Sequence, residues 1–180
     1  MAGFVQVSPF APASLPDMPI IPGVRFGAVA AGLKYRDRTD VMLAVLNPGS
    51  IAAGVTTRSK TCSAPVLWCR DQLAHGAARA VVVNAGNANA FTGKKGTEAT
   101  RLTAEAAAAA VGCEPGEVYL ASTGVIGEPL EASRFSHRLA ELSKTAKGEN
   151  WQDAAEAIMT TDTYPKLATA SLEFDGQKVT

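Results

Sequence analysis

The side chains that could do chemistry lie in a few short polar stretches, and the first of these is Ser122-Thr123-Gly124. It follows a short apolar run and precedes a second glycine, Gly127. A hydroxyl beside a glycine at a strand end offers an O–H and an unobstructed backbone N–H, the donors that stabilise a tetrahedral oxyanion. A plain turn ahead of a helix would use the same glycines. The residues alone leave both interpretations open.

A second stretch, Met159 to Thr163, places three threonines and Asp162 in five positions. Threonines are poor helix-interior residues, but they terminate helices well and bind polar ligands. Asp162 could contact an amine or a backbone N–H. The alternative is a helix end with local capping, which the residues favour equally.

The third stretch, Asn84 to Ala90, holds three asparagines and a glycine directly after an apolar run. Asparagine tolerates unusual backbone angles and offers both a donor and an acceptor. Such a loop could shape a pocket or orient a catalytic group, or it could be an ordinary connection whose side chains bond their own backbone. A fourth stretch, Gly54 to Thr61, could grip a carboxylate or phosphate through Arg58 or Lys60, but two basic loop residues are usually just solvated, and we assign them no role.

Charge and spacing exclude several function classes. Seventeen basic and 17 acidic side chains give no net charge, which argues against a non-specific nucleic-acid binder. The sequence contains no dinucleotide-binding, P-loop, nucleophile-elbow or HExxH motif. Cys62, Cys69 and Cys113 form no CxxC pair and are expected to pack rather than react, and His75 and His137 are far apart. We therefore expect no metal site and no disulfide framework.

No apolar run approaches the length of a membrane-spanning helix, and the first 22 residues lack the pattern of a secretory signal. We therefore expect a cytoplasmic protein without a membrane partner. Five of the ten prolines lie within residues 1–22, so this segment is predicted to be an extended arm. The remaining residues, 23–180, are predicted to form a single domain.

The elements that must position these stretches follow from short apolar runs and turn residues. Residues 24–31, 41–46 and 51–57 are predicted to be strands of an antiparallel meander. Ser63 and Pro65 predict a helix start, with an end at His75-Gly76.

The second half of the sequence alternates buried strands and helices. Short, continuously apolar runs predict strands at 80–84 and 118–121, each buried on both faces. Helices are predicted at 97–111, 130–144 and 150–159, and a further strand at 167–174. The fold class is therefore α/β, a mixed α+β chain in a layered sandwich.

Taken in order, these stretches resemble the α chain of the ornithine acetyltransferase family, the bifunctional glutamate N-acetyltransferases of arginine biosynthesis. The resemblance covers roughly residues 20–180. Five segments carry it: 23–32 (GVRFGAVAAG), 54–57 with 64–66 (GVTT and APV), 84–93 (NAGNANAFTG), 122–127 (STGVIG) and 157–166 (AIMTTDTYPK). Each motif is weak alone, but their order and spacing are specific.

The resemblance implies a precursor that cuts itself between an alanine and a threonine. The threonine that begins the β chain then acts as nucleophile, with its own amine as base, and carries the acetyl group from N-acetylornithine to glutamate. Some members also accept acetyl-coenzyme A, and the sequence leaves open whether this protein does. The implied fold is a layered α/β sandwich completed by the β chain, in a higher oligomer of αβ units.

Carried over by position, Thr123 and Gly124 match the oxyanion-hole pair of the family. Thr160 matches a substrate-contacting threonine, with Thr161 as the fallback if the register slips by one. No cofactor and no metal ligand are implied. The lysine-containing segment Lys-Gly-x-Gly-Met and the nucleophile of the family do not occur in these 180 residues, and the pair Ala168-Thr169 lacks that segment.

Two other hypotheses stay open at this point. One is a self-processing, aminopeptidase-like relative that passes the acyl group to water. The other is a non-catalytic α/β domain that binds a small molecule through Asn87, Asn89, Thr123 and Thr160. An in-frame Lys-Gly-x-Gly-Met and Ala-Thr downstream of codon 180 would favour the enzyme.

Overall fold

A four-stranded sheet forms the centre of the fold in the computed structural model, which describes residues 6–34 and 36–180. Its first hairpin pairs β1, Val24–Val29, with β2, Val41–Leu46, in antiparallel register. Both strands were predicted from their apolar runs. The connection between them is organised by the buried Asp40, whose two carboxylate oxygens accept hydrogen bonds from the backbone N–H groups of Ala31 and Leu33, both at 2.6 Å.

The other two strands complete the order β1-β2-β3-β4. Strand β3, Ala80–Asn87, is antiparallel to β2, and β4, Val118–Val125, is parallel to β3. Both strands run beyond the apolar residues that predicted them and include the polar stretches that follow. Among the candidate residues, Asn84, Asn87, Thr123 and Gly124 therefore lie inside the sheet ladder, at its carboxyl-terminal end, rather than in the loops beyond.

The predicted third strand of the meander, residues 51–57, is wrong. Ile51 makes one isolated bridge to Ala77, and the following residues contain no strand. The place beside β2 is taken by β3, so segment 51–57 has no sheet position to occupy. Its apolar side chains accordingly face solvent, with Ile51 85% and Val55 100% exposed.

Two helices were predicted close to their observed ends. Helix α1 spans Ala64–Gln72 with Ser63 at the N-cap position, although the Ser63 side chain makes no capping bond. Helix α2 spans Gly93–Val111 and ends at Gly112, whose left-handed φ of 75° suits glycine. It begins four residues before the predicted start, within the glycine-lysine segment.

The predicted helix 130–144 is divided in two, α3 at Ser133–Ser136 and α4 at Leu139–Thr145. The backbone N–H of Arg138 donates to the Phe135 carbonyl, a tight i to i+3 bond that interrupts the α-helical pattern. Helix α5, Trp151–Ala157, matches the last predicted helix with shorter ends.

The strand predicted at 167–174 is confirmed only for its last three residues. Strand β5, Leu172–Phe174, pairs with β6, Gln177–Val179, in a small exposed hairpin. Residues 167–171 have no strand opposite them, because β6 is only three residues long. The N-terminal arm contains no helix or strand over residues 6–22, and residues 1–5 lie outside the described part of the chain.

The sheet separates two helical layers. On one face, called here the α2 face, α2 and α4 pack on alternate strand residues such as Leu43, Val82 and Leu120. On the other, the α5 face, α5 packs on β1 and β2 through Phe26, Met42 and Ala157 among others. This arrangement is the predicted mixed α+β sandwich. Among the residues that the structure describes, no helix is long and apolar enough to cross a membrane.

Candidate functional site

Thr123 and Gly124 lie near the end of the ladder that joins the parallel strands β3 and β4. Thr123 pairs with Ala85 of β3, and Gly124 pairs with Gly86. Parallel strands hold neighbouring carboxyl ends at one edge of a sheet, which is where ligands bind in open α/β sheets. The fold therefore places both predicted residues at a position typical of binding sites.

Gly124 and Gly86 are in direct backbone contact. Gly124 has a φ of 130° and Gly86 a φ of 101°, both in the region that favours glycine. A Cβ atom on Gly124 would lie 2.4 Å from the carbonyl carbon of Gly86, far inside van der Waals contact. The conformation of the Thr123–Gly124 peptide is thus coupled to that of Gly86.

The pleat of β4 sets the face on which Thr123 lies. Val118 and Leu120 belong to the core of the α2 face, so alternation puts Ala121 and Thr123 on the α5 face. Helix α5 covers β1 and β2 there but does not extend over β4, and Ala121 is exposed. Thr123 is half-buried, and within the described residues its hydroxyl makes no hydrogen bond. That hydroxyl is therefore available to a ligand.

The outer edge of β4 is covered by α1 as far as Leu120. The Trp68 indole N–H donates to the Val118 carbonyl at 2.8 Å. The Cys69 thiol donates to the Leu120 carbonyl at 3.1 Å, and its sulfur accepts from the Leu120 N–H at 3.2 Å. Burial raises the pKa of the Cys69 thiol, although its bond to the Leu120 backbone opposes the shift. The thiol thus stays protonated, as a packing residue should.

Strand alternation extends this pattern to Gly124. N–H groups two residues apart in a strand point the same way, and the Leu120 N–H points to the outer edge. The same alternation directs the Gly124 N–H outward, beyond the side-chain bonds of α1. The Thr123 hydroxyl therefore lies on the α5 face, and the N–H of the next residue, Gly124, points to the outer edge of the sheet. That these two donors act together on an oxyanion stays a prediction.

The asparagine stretch forms a buried network behind these donors. The Asn84 Nδ2 donates to the Asn87 carbonyl at 2.8 Å, and its Oδ1 accepts from the Ser122 hydroxyl at 2.6 Å. The Asn87 Nδ2 donates to the Glu128 carbonyl at 3.0 Å. Most partners are backbone groups, in line with the interpretation of a self-bonding connection. The Asn84–Ser122 bond, however, joins β3 to β4. The sequence analysis did not predict this bond, because no sequence motif indicates which residues pair across two strands.

Asn89 is the third member of the stretch and bonds elsewhere. Its Nδ2 donates to the Gly96 carbonyl and to the Thr100 hydroxyl, both at 3.0 Å, and it is fully buried. Its φ of 46° is one that asparagine tolerates better than most residues. Asn89 therefore fixes the start of α2 rather than the donor pair.

Thr160 and Thr161 lie just after the end of α5. Thr160 is half-buried and its backbone N–H donates to Asp162 Oδ2 at 3.2 Å, whereas Thr161 is exposed. The Arg38 guanidinium donates to the Met159 carbonyl and holds the segment to the β1–β2 connection. Within the described residues no hydrogen bond joins Thr160 or Thr161 to the Thr123–Gly124 pair.

Part of the α5 face has no helix packed on it. Helix α5 packs on β1 and β2, and the donor pair lies near the end of β4. Between them lie Val81 and Val83 of β3, both only partly buried. The structure leaves this part of the sheet without a helical cover.

Acid should loosen the Thr160 segment. The pKa of Asp162 is lowered from its ordinary value of 3.8, first by its hydrogen bond to Lys166 and then by the Thr160 N–H. A lowered pKa means that ionised Asp162 stabilises the segment above the ordinary value, and that this contribution disappears as pH falls through the lowered pKa. We expect the Thr160 amide proton shift to titrate with a midpoint below 3.8 in NMR. Asp162→Asn should abolish the titration; a midpoint at or above the ordinary value would contradict the assignment.

The remaining sequence candidates fall outside this site. In the loop 54–61, Arg70 donates to the Thr56 hydroxyl at 3.0 Å and to the Thr57 carbonyl at 2.7 Å, and the other side-chain bonds stay within the loop. All three cysteines are free thiols. In the part of the chain that is described, no group of three His, Cys, Asp or Glu side chains could hold a metal ion.

Comparison with known proteins adds a family match. The profile of the ArgJ family matches residues 25–180. The arginine biosynthesis bifunctional protein ArgJ of Agrobacterium fabrum (strain C58 / ATCC 33970) is 60% identical over 176 residues, which are 98% of this chain and 43% of that protein. The protein of the same name from Rhizobium meliloti (strain 1021) is 61% identical over 174 residues, 97% of this chain and 42% of that protein. The chain thus spans less than half the length of these curated relatives.

Two solved structures share the fold. Ornithine acetyltransferase of Mycobacterium tuberculosis, complexed with ornithine, superposes with a TM-score of 0.75 at 40% identity, over 78% of this chain and 77% of that one. Arginine biosynthesis bifunctional protein argJ from Bacillus halodurans also gives a TM-score of 0.75, at 29% identity, over 88% of this chain and 83% of that one.

Proposed function

The chain belongs to the ArgJ family, and from this premise we propose that it is the α chain of a self-processed acetyltransferase of arginine biosynthesis. The acetyl group would pass from N-acetylornithine to glutamate through an acyl-enzyme on the threonine that begins the β chain. The observation that carries the proposal is the paired donors Thr123 O–H and Gly124 N–H at the end of β4, in a chain with this family match.

The donor pair suits the chemistry of acyl transfer. When a nucleophile adds to an acetyl carbonyl, the oxygen gains negative charge, and two donors held in advance stabilise that charge without reorganising. The backbone contact between Gly124 and Gly86 supplies the rigidity. The same pair would serve self-cleavage, because that reaction also passes through a tetrahedral centre.

We assign Thr160 to substrate contact, with Thr161 as the less favoured alternative. Thr160 follows α5 closely and is half-buried, whereas Thr161 is exposed. The segment is anchored by Arg38 and by the Asp162–Lys166 ion pair. An anchored hydroxyl contributes more to binding than a mobile one because less conformational freedom is lost.

The uncovered part of the α5 face supports the β chain as partner. Val81 and Val83 are only partly buried although they occupy the centre of the sheet. A β chain packed there would bury them and bring its N-terminal threonine between Thr123 and Thr160. We propose that such αβ units form a higher oligomer.

The substrates follow from the relatives. A solved relative carries ornithine, the product of deacetylating N-acetylornithine. We propose acetyl-coenzyme A as an additional acetyl donor, acting as a substrate and not as a bound cofactor. We place the enzyme in the cytoplasm, where free thiols such as those of its three cysteines persist.

Separating the chain from the rest of its protein tests this proposal. We expect residues 1–180 produced alone to be inactive and prone to aggregate, and the full-length gene product to process itself and transfer acetyl groups. The assay is acetyl transfer to glutamate with N-acetylornithine and acetyl-coenzyme A as separate donors. A monodisperse 180-residue monomer that catalyses transfer would overturn the proposal.

A further inference from the structure

We propose that Asn84 is a positioning residue for the oxyanion donors and that it acts through Ser122. The inference rests on the proposed function, since it takes Thr123 and Gly124 as the donors. It assigns to Asn84 the task of holding the end of β4 against the irregular end of β3, so that the two donors keep one geometry.

The carboxamide of Asn84 spans the two strand ends. Its Nδ2 donates to the Asn87 carbonyl at 2.8 Å, across the irregular Gly86. Its Oδ1 accepts from the Ser122 hydroxyl at 2.6 Å, on the residue just before Thr123. One rigid planar group therefore fixes the residues on both sides of the Gly86–Gly124 contact.

The chemistry of the bridge requires an amide. One end of the side chain must donate to a carbonyl while the other accepts from a hydroxyl. An aspartate at position 84 would keep the acceptor and lose the donor, and its charge would face the Asn87 carbonyl oxygen. Asn84 is only 3% exposed, so water cannot replace the missing bond.

The sheet itself separates Asn84 from the substrate. Asn84 pairs with Ser122 in the ladder, and both belong by alternation to the α2 face with Val82 and Leu120. Thr123 lies on the α5 face. Asn84 therefore does not touch a group bound at the Thr123 hydroxyl, and any effect on catalysis travels through the backbone of β4.

The coupling to Gly124 has a steric basis. The Gly124 backbone is so close to Gly86 and Asn87 that even a methyl group would not fit between them. Gly86 and the Asn87 nitrogen form this contact, so we expect a shift of the Asn87 peptide, released from Asn84, to displace Gly124. Small displacements of donors are costly in catalysis, because about 1 Å of misplacement can cost about 10²-fold in rate.

The test uses the full-length, self-processed protein and measures kcat and KM on the cut fraction. We expect Asn84→Asp to lower kcat about 10- to 100-fold and Ser122→Ala about 3- to 10-fold, each with KM changed less than about threefold. Ser122→Ala is the milder variant and keeps the inference testable if Asn84→Asp fails to fold.

Ser143→Ala is the matched control. Ser143 is partly buried like Ser122, and its hydroxyl donates across elements to the Ala110 carbonyl at 2.8 Å, but it lies in α4. It should keep kcat within about twofold while losing comparable stability in urea. Equal losses of kcat in Ser122→Ala and Ser143→Ala would show a general structural effect and overturn the inference.

A double variant gives a readout that a purely structural role would not move. If Asn84 and Ser122 act by aiming both donors, Ser122→Ala should lower kcat by a smaller factor once Thr123→Ala has removed one donor, because only the Gly124 N–H is then left to be displaced. An undiminished effect in that background would overturn the inference while leaving the proposed function intact. The single variant Thr123→Ala tests the proposed function separately, because it removes a donor while Asn84 and Ser122 stay intact.

Discussion

Thr123→Ala is expected to lower kcat for acetyl transfer by about 10²–10³-fold, with a smaller change in KM. The hydroxyl acts mainly on the tetrahedral state, in which the carbonyl oxygen has become negative, so ground-state binding should survive. The variant should also slow self-cleavage, seen as a persistent uncut precursor on a gel. Rates must therefore be measured on the fraction that has been cut.

Thr123→Ser is the matched comparison for this prediction. It keeps the hydroxyl and loses only a methyl group, so it should retain most of the activity that Thr123→Ala loses. If cut Thr123→Ala enzyme transfers acetyl groups at the unaltered rate, the oxyanion assignment is wrong, and the segment is a plain turn before a helix.

Gly124→Ala is expected to be strongly destabilising. Its new methyl carbon would meet the Gly86 backbone at 2.4 Å, and backbone atoms cannot turn aside as a side chain can. Overpacking costs about 1–3 kcal/mol, and the φ of 130° adds strain for any residue with a Cβ. We expect a large fall in the urea midpoint of the full-length protein and loss of acetyl transfer.

Gly127→Ala separates the two causes. Gly127 also has a positive φ, 85°, but a Cβ there meets nothing within 4 Å. It should therefore carry the backbone strain without the clash, at a cost of about 1 kcal/mol. Equal urea midpoints for Gly124→Ala and Gly127→Ala would contradict the argument that close backbone contact fixes the donor geometry.

The elements that the sequence predicted well are those whose own residues decide their structure. The run Val41–Leu46 is apolar throughout and lies at the centre of the sheet. Helix α2 ends at Gly112, which has the left-handed conformation that glycine adopts more easily than other residues. In such segments local preference and tertiary packing agree, so the pattern is sufficient.

The predictions failed where contacts with residues distant in sequence determine the local structure. Ile51 and Val55 have the composition of a strand, but β3 already occupies the place beside β2. Conversely, Asn84 to Asn87 are poor strand formers, yet they continue β3 because β4 pairs with them and their side chains satisfy the buried backbone. Neither outcome can be obtained from the local sequence.

The candidate site divides in the same way. The neighbouring donors of Thr123 and Gly124 are adjacent in sequence and could be predicted together. The Asn84–Ser122 bond joins residues 38 positions apart, and its existence depends on the parallel register of β3 and β4. Only the three-dimensional structure could supply it.

The cover that α1 gives to the outer edge of β4 bears on how the chain avoids aggregation while it is being made. An unpaired strand edge can recruit strands of other chains. Both neighbours of β4 in the structure, α1 and β3, precede it in the sequence by about 30 to 50 residues, so both are synthesised first. When β4 leaves the ribosome, it can insert between a strand already paired and a helix whose Trp68 and Cys69 bind its outer backbone groups. The first part of the strand is thus covered as it joins the sheet, and a double substitution that removes both side chains should first cause misassembly during synthesis.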